Sequence, residues 1–256
     1  MLSGLSENNF QQVTDMSRLQ WRSIFLFILS LYFCQSALAS VVMTGSRVIY
    51  PSDAKSVDLK LRNDDDFPYV IQAWFDSGDP SSTPETGTAP FIVTPPTFRI
   101  AAKEGQILRV FFTQDKPLPQ DRESIFYFNF LQVPPANIGG DKGSKIVVML
   151  KNRMKVFYRP TGLKTNPKMI FDYLTVSNTS ANSIRVTNTS PYYISLSKVS
   201  VNGVNAKHKP PMIAPFTAVD IALNAGKVTD RSAKGIEIGL VNDYGATVSH
   251  VYPIQK

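Results

Sequence analysis

Cysteine, histidine and helical periodicity are all scarce in this sequence. The single cysteine, Cys34, lies within an apolar N-terminal run. The rest of the chain can therefore form neither a disulfide nor a cysteine metal site. Phe33 precedes Cys34 where a lipidated cysteine takes a small residue, which argues against a lipid anchor. The two histidines, His208 and His250, stand in no metal-ligand spacing. No G-x-S-x-G turn supports a Ser-His-Asp arrangement. Gly140-Asp141-Lys142-Gly143-Ser144-Lys145 looks superficially like a phosphate loop, but it lacks the spacing and the following helix and reads as a hairpin loop. Asn63-Asp64-Asp65-Asp66 lacks a downstream glutamate in calcium-loop register and reads as a turn. Asn178-Thr179-Ser180 and Asn188-Thr189-Ser190 match glycosylation acceptors, a pattern that chance often produces. No catalytic constellation, metal site or cofactor site emerges, so the chain is not expected to be an enzyme.

What is present begins with a leader. Arg18 and Arg22 flank an apolar run from Ile24 to Phe33, followed by Ala37-Leu38-Ala39. Basic flank, apolar stretch and A-x-A site describe a secretory signal peptide over residues 1–39, cut between Ala39 and Ser40. The run is too short and wrongly flanked for a membrane span. Met16 directly precedes the basic flank and is the expected initiator. Hydrophobic residues make up 43% of the chain and charged ones only 18%, a globular balance that leaves little room for disorder. The net charge of +7 survives removal of the leader, because Glu7 and Asp15 offset Arg18 and Arg22. In an exported protein such charge meets a carboxylate, an anionic surface or an acidic partner rather than nucleic acid.

From Ser46 onward the pattern is strand, turn, strand. Val57–Leu61 and Gln106–Val110 alternate cleanly, as sheets with one wet face do. Tyr69–Phe75 is a third strand with Trp74 as a core aromatic, and Ile125–Val133 is a fourth, closed by Pro134-Pro135. A second series, after Pro160-Thr161-Gly162, runs through Ser183–Thr187, Tyr192–Val201, Ala218–Ala222, Ile236–Val241 and Thr247–Tyr252. The eighteen prolines and fourteen glycines that punctuate these runs favour turns over long helices. No internal repeat, helical period or low-complexity tract is visible. The expected fold is all-β, with two β-sandwiches spanning residues 40–162 and 163–256.

The segment Lys145–Tyr158 reads as one unusually long strand, with Ile146, Val148 and Leu150 on one face and Val147 and Met149 on the other. A central strand buried on both sides has that composition. So does an edge strand meant to pair with another chain, since an apolar edge otherwise invites aggregation. Arg153, Lys155 and Arg159 follow, with Lys155 about 16 Å beyond Leu150 at roughly 3.3 Å per residue. Arg153 reads as a solvated basic strand end.

These residues resemble the PapD-like periplasmic chaperones of the chaperone–usher pilus pathway. The resemblance rests on Ser46–Tyr50 (SRVIY), Thr94-Pro95-Pro96, Leu118–Asn129 (LPQDRESIFYFN), Lys155–Pro160 (KVFYRP) and Asn242–Gly245 (NDYG), in the family's order and over Ser40–Lys256. It implies a boomerang of two immunoglobulin-like domains that binds pilus subunits and adhesins by donor-strand complementation and delivers them to an outer-membrane usher. Arg47 and Lys155 match the cleft cations that hold the subunit's terminal carboxylate. Ile146, Val148 and Leu150 match the donor residues, and burying three such aliphatics contributes about 5–9 kcal/mol gross. Glu123, Arg159 and Asp243 match an interdomain charge cluster. The Ala136–Ser144 loop, without flanking cysteines, looks like the short-loop branch. An apolar edge of this kind also allows a self-capped dimer of the free protein. The alternative is a periplasmic or surface immunoglobulin-like module for another ligand, which would have no reason to keep both Arg47 and Lys155.

Overall fold

The computed structural model describes residues 40–114, 117–136, 147–180, 182–201, 203–224 and 235–253. The expected leader with Met16 and Cys34, most of the Ala136–Ser144 loop, and Ile146 lie outside those residues. Ser40–Lys256 forms one compact unit. It is all-β and consists of two immunoglobulin-like sandwiches.

The first sandwich uses β1 (Val41–Met43), β2 (Arg47–Pro51), β3 (Val57–Asn63), β4 (Tyr69–Asp76), β5 (Phe91–Thr94), β6 (Thr97–Ile100), β7 (Gly105–Phe112), β8 (Ser124–Val133) and β9 (Leu150–Arg159). One sheet has the order β1-β3-β7-β5 and the other β2-β9-β8-β4-β6. The alternation seen in β3 is resolved as expected: Leu59, Leu61 and Asn63 turn inward while Asp58, Lys60 and Arg62 face water. Aromatic rings dominate the core. Phe91 lies within 5.2–5.4 Å of the ring centroids of Tyr50, Phe75, Phe112 and Phe126, close enough for edge and offset contacts that add to simple burial.

The second sandwich follows a 3-10 stretch, Pro167–Tyr173, capped by the Asn166 side chain. None of its residues is buried, so it carries no amphipathic period for a sequence reading to detect. The strands are β10 (Leu174–Ser180), β11 (Ser183–Asn188), β12 (Ile194–Val201), β13 (Val204–Asn205), β14 (Met212–Ile213), β15 (Ala218–Ala222), β16 (Ile236–Val241) and β17 (Thr247–Tyr252). The sheets are β10-β11-β15 and β13-β12-β16-β17, with β14 pairing to β12. The buried cluster described here is entirely aliphatic, built on Ile184, Val186, Ile194, Ile213, Ile236 and Ile238 among others.

Three expectations change. The strand expected from Lys145 begins at Leu150, because its partner β8 ends at Val133 and the last pair is Gln132↔Leu150. Nor is β9 simply an edge: β2 pairs with it in parallel from Lys155 to Arg159, leaving the open edge at Leu150–Met154. Trp74 is buried but does not join the core. It packs on the opposite face of β4, where Gly87 approaches so closely that a Cβ there would lie 2.5 Å from the Trp74 ring.

The structure also reveals an internal repeat that the sequence conceals. Asn63 and Asn188, both fully buried, each end a strand. Each accepts a hydrogen bond from the amide two residues on, 3.0 Å from Asp65 and 2.9 Å from Ser190. Each donates to the carbonyl four residues on, Phe67 or Tyr192, and to a distant carbonyl, Ala101 or Ala214. Two residues past each distant carbonyl the backbone turns left-handed, at Lys103 (φ 60) and Phe216 (φ 57). Asn188 is thus fully engaged inside the protein, which removes it as a glycan acceptor. Replacing Asn63 or Asn188 by alanine strands two buried carbonyls and one amide, and should cost about 2 kcal/mol in denaturant unfolding. A loss under about 0.5 kcal/mol at both positions would contradict this role.

Candidate functional site

Parallel pairing of β2 with β9 places Arg47 directly opposite Lys155, on strands about 4.8 Å apart. Successive side chains alternate, so Val156 and Tyr158 enter the core while Lys155, Phe157 and Arg159 face the second sandwich. Phe157 packs at a tilt against Tyr193 with centroids 5.8 Å apart, and the Arg47 guanidinium lies 5.9 Å from the Phe157 ring. Both cations reach neighbouring points of the second sandwich. Arg47 Nη1 donates to the Val241 carbonyl at 2.8 Å, and Lys155 Nζ donates to Ser195 Oγ at 3.0 Å. Leu196 and Leu240 are partners on β12 and β16, so Ser195 and Val241 are neighbours.

Their electrostatics are unusual. Both are half-buried, and neither makes an ion pair among the described residues. The buried Arg47 Nε has no hydrogen-bond partner. Burial lowers the Arg47 guanidinium from its ordinary value, with Asp243 and Glu123 opposing that effect. Burial, then Arg47, then Lys209 lower the Lys155 ammonium. Two desolvated like charges side by side are costly unless an anion joins them.

Beside them stands a satisfied cation. Arg159 Nε donates to Glu123 Oε1 at 2.7 Å, and its two terminal nitrogens grip Asp243 at 2.7 and 2.9 Å. Glu123 also accepts the Tyr193 amide at 2.7 Å. Burial alone would lower Arg159, but Asp243 and Glu123 more than reverse it and hold it above its ordinary value. Burial raises the Glu123 carboxyl, with Arg159 and the Tyr193 amide opposing. Asp243 is aimed by a tight turn in which Asn242 Oδ1 accepts the Tyr244 and Ala246 amides. Gly245 closes that turn at φ +84 and passes so near Ser46 that a Cβ would sit 2.6 Å from its hydroxyl, so any side chain there would be both strained and crowded. A cavity of about 390 Å³ lies at this junction, lined by Arg47, Phe157, Arg159, Tyr193, Val241 and Asp243 among others; Lys155 is not part of its wall.

The apolar edge is exposed. Val148 is 63% accessible and Leu150 50%, and Val147 and Met149 are open as well. The strand half that carries this edge is braced from its outer face. Arg153 pairs with the buried Asp76 and lies 3.5 Å above the Tyr127 ring, so it is not the solvated strand end expected of it. Asp76 also accepts from Asn129 at 2.7 Å, from Ser82 at 3.2 Å and from the Gly78 amide at 2.7 Å. Lys151 donates to the Pro80 and Ser82 carbonyls and sits 5.0 Å from the Trp74 ring. The loop after β4 therefore clamps the start of β9. Sequence reading missed this brace, as it did the Ser195 and Val241 contacts, since none carries a local motif.

Taken together, the fold and site define a two-domain immunoglobulin-like protein with two half-buried cations side by side at the foot of an open apolar strand edge. Residues 40–164 match the family described as pili and flagellar-assembly chaperone, PapD N-terminal domain, and residues 170–252 match its partner, the pili assembly chaperone PapD C-terminal domain. The chain is 37% identical over 229 residues to the probable fimbrial chaperone YadV of Escherichia coli, covering 87% of this chain and 93% of that one. It is also 37% identical over 244 residues to the chaperone HifB of Haemophilus influenzae, covering 90% and 96%. The crystal structure of YadV superposes with a TM-score of 0.67, covering 83% of this chain and 98% of that chain. The SafB chaperone fold, solved with the Salmonella enterica SafA pilin, is matched at 0.70 with 26% identity, covering 85% and 99%. The chain belongs to the PapD-like family of pilus-assembly chaperones.

Replacing Arg159 by methionine leaves Glu123 buried without its cation and should cost about 3 kcal/mol of stability at neutral pH. A carboxyl raised in the folded state lends its stability below its unfolded value and loses it as pH rises through the folded one. The deficit of the variant relative to the parent should therefore shrink as pH falls from 7 toward about 4. Thermal unfolding across that range checks the sign, and a deficit that widens on acidification would contradict it.

Proposed function

We propose that this protein captures an unfinished pilus subunit in the periplasm and completes it with the aliphatic side chains of Ile146, Val148 and Leu150. It then passes the subunit, pilin or adhesin, to an outer-membrane usher. Arg47 and Lys155 bind the subunit's C-terminal carboxylate. The observation that carries this reading is the pair itself: two half-buried cations on adjacent strands, without a carboxylate partner among the described residues, where an exposed apolar edge begins.

A carboxylate supplies the missing countercharge. Each close pair contributes up to about 4 kcal/mol at an effective dielectric near 20, before desolvation. With the terminus fixed at Lys155, the subunit's last strand runs along β9 toward Leu150 and Val148. Backbone bonds to the open edge set its register, and the alternating aliphatics fill the groove where the subunit lacks a strand. Glu123, Arg159 and Asp243 set the angle between the two domains, 40–162 and 163–256. The chain is exported by its leader, cleaved after Ala39, and works without a cofactor or chemical step; the similar SfaE is a periplasmic chaperone. The SafA–SafB complex supports the pilin as partner, since there a pilin is held by a chaperone 26% identical to this chain. We read the Ala136–Ser144 sequence, without flanking cysteines, as that of the short-loop branch.

Lys155→Ala should fold and be exported normally yet fail to retain a co-expressed pilin in affinity purification. Pilin recovered at parental yield would contradict the anchor. Val148→Glu should weaken pilin binding by more than about tenfold, because a charge enters an apolar groove. Unchanged affinity in a surface-binding assay would count against strand donation.

A further inference from the structure

Beyond Arg47 and Lys155, the second sandwich carries a further cationic element near Lys155. The segment between β13 and β14 reads Ala206-Lys207-His208-Lys209-Pro210-Pro211, and its three basic residues are exposed. Both ends of the segment are tied down. The Ala206 amide donates to the Val199 carbonyl and the Lys207 amide to the Ala222 carbonyl, each at 2.9 Å. At the far end Met212 pairs with Ser195 across β14 and β12. Ser195 is the residue whose hydroxyl takes the Lys155 ammonium. Lys209 stands three residues before Met212, joined to it by two prolines that stiffen the connection. It makes no ion pair among the described residues. Its charge is felt at Lys155, where it adds to the depression caused by burial and by Arg47.

A lysine so placed repels Lys155 and pairs with no carboxylate among the described residues. We propose that Lys209 is a third cation of the carboxylate anchor, held by the second sandwich at the outer side of Lys155, and that it draws the anionic end of an incoming chain into the cleft. The proposal rests on the carboxylate-anchor reading and adds a rate to it. Exposed charges at the rim of a site act mainly on association, whereas the partly buried pair beneath governs retention.

The test uses the mature protein and a synthetic peptide of alternating aliphatic residues. The peptide is prepared with a free α-carboxylate and, separately, as its C-terminal amide. Stopped-flow binding is measured for the parent, Lys155→Met and Lys209→Gln over a range of salt. The parent should prefer the free acid, and Lys155→Met should lose that preference. Lys209→Gln should keep it but associate about two- to threefold more slowly at low ionic strength. Its dissociation rate should be near the parent's and its salt dependence shallower. Parental binding that ignores the carboxylate would sink the anchor reading itself. A retained acid preference, with Lys209→Gln matching the parent in association rate and salt slope, would overturn the role of Lys209 alone.

Discussion

Two like charges held side by side and half out of water form the constraint around which this molecule is arranged. The parallel contact between β2 and β9 creates it, since only that register sets Arg47 against Lys155. The second sandwich sustains it by supplying one carbonyl and one hydroxyl, Val241 and Ser195, which are dipoles and not countercharges. Such a site is an incomplete salt bridge. Its energy would fall if an anion joined it, and the proposed carboxylate would then be held by the fold rather than by any flexible side chain.

The adjoining Arg159 is the contrasting case. It is buried more deeply than Arg47 and Lys155, and Glu123 and Asp243 neutralise it. Its two acids come from different sandwiches, so the ion pairs join the two bodies, while Arg47 and Lys155 have no carboxylate partner among the described residues. The Glu123 amide, bonded to the Pro191 carbonyl at 2.9 Å, and the Arg122 guanidinium, 5.0 Å from the Phe216 ring, reinforce the same seam. At the other end of β9, Asp76 and the loop after β4 hold Arg153 and Lys151. The open half of the strand is thereby kept extended, and less ordering entropy is lost when another chain pairs with it.

Much of the fold was legible because alternation survives wherever one face is wet. The runs at Val57, Gln106, Ser183 and Ala218 all became strands with little change in their bounds. Elements that bury little were not legible. β10 exposes five of its seven residues, and Pro95-Pro96 separates β5 from β6 too briefly for either to show a pattern. Trp74 and Arg153 were misjudged for a shared reason: both depend on the loop after β4 folding back over the sheet, a tertiary event with no sequence period. The matched asparagines 63 and 188 left one trace, a Pro-aromatic step that begins five residues on at Pro68-Tyr69 and three residues on at Pro191-Tyr192. The residues proposed as the anchor could be read from motifs. Its cost could not, because burial and missing partners are properties of the assembled chain.

The most direct measurement is the titration of the Lys155 side-chain ammonium by NMR, first in the free protein and then with a pilin bound. The account predicts a value below that of an ordinary lysine in the free protein, since burial and Arg47 both oppose the charge. It predicts a clear rise when the subunit's carboxylate takes its place between the two cations. An ammonium that titrates normally when free, or that does not respond to the bound pilin, would contradict it.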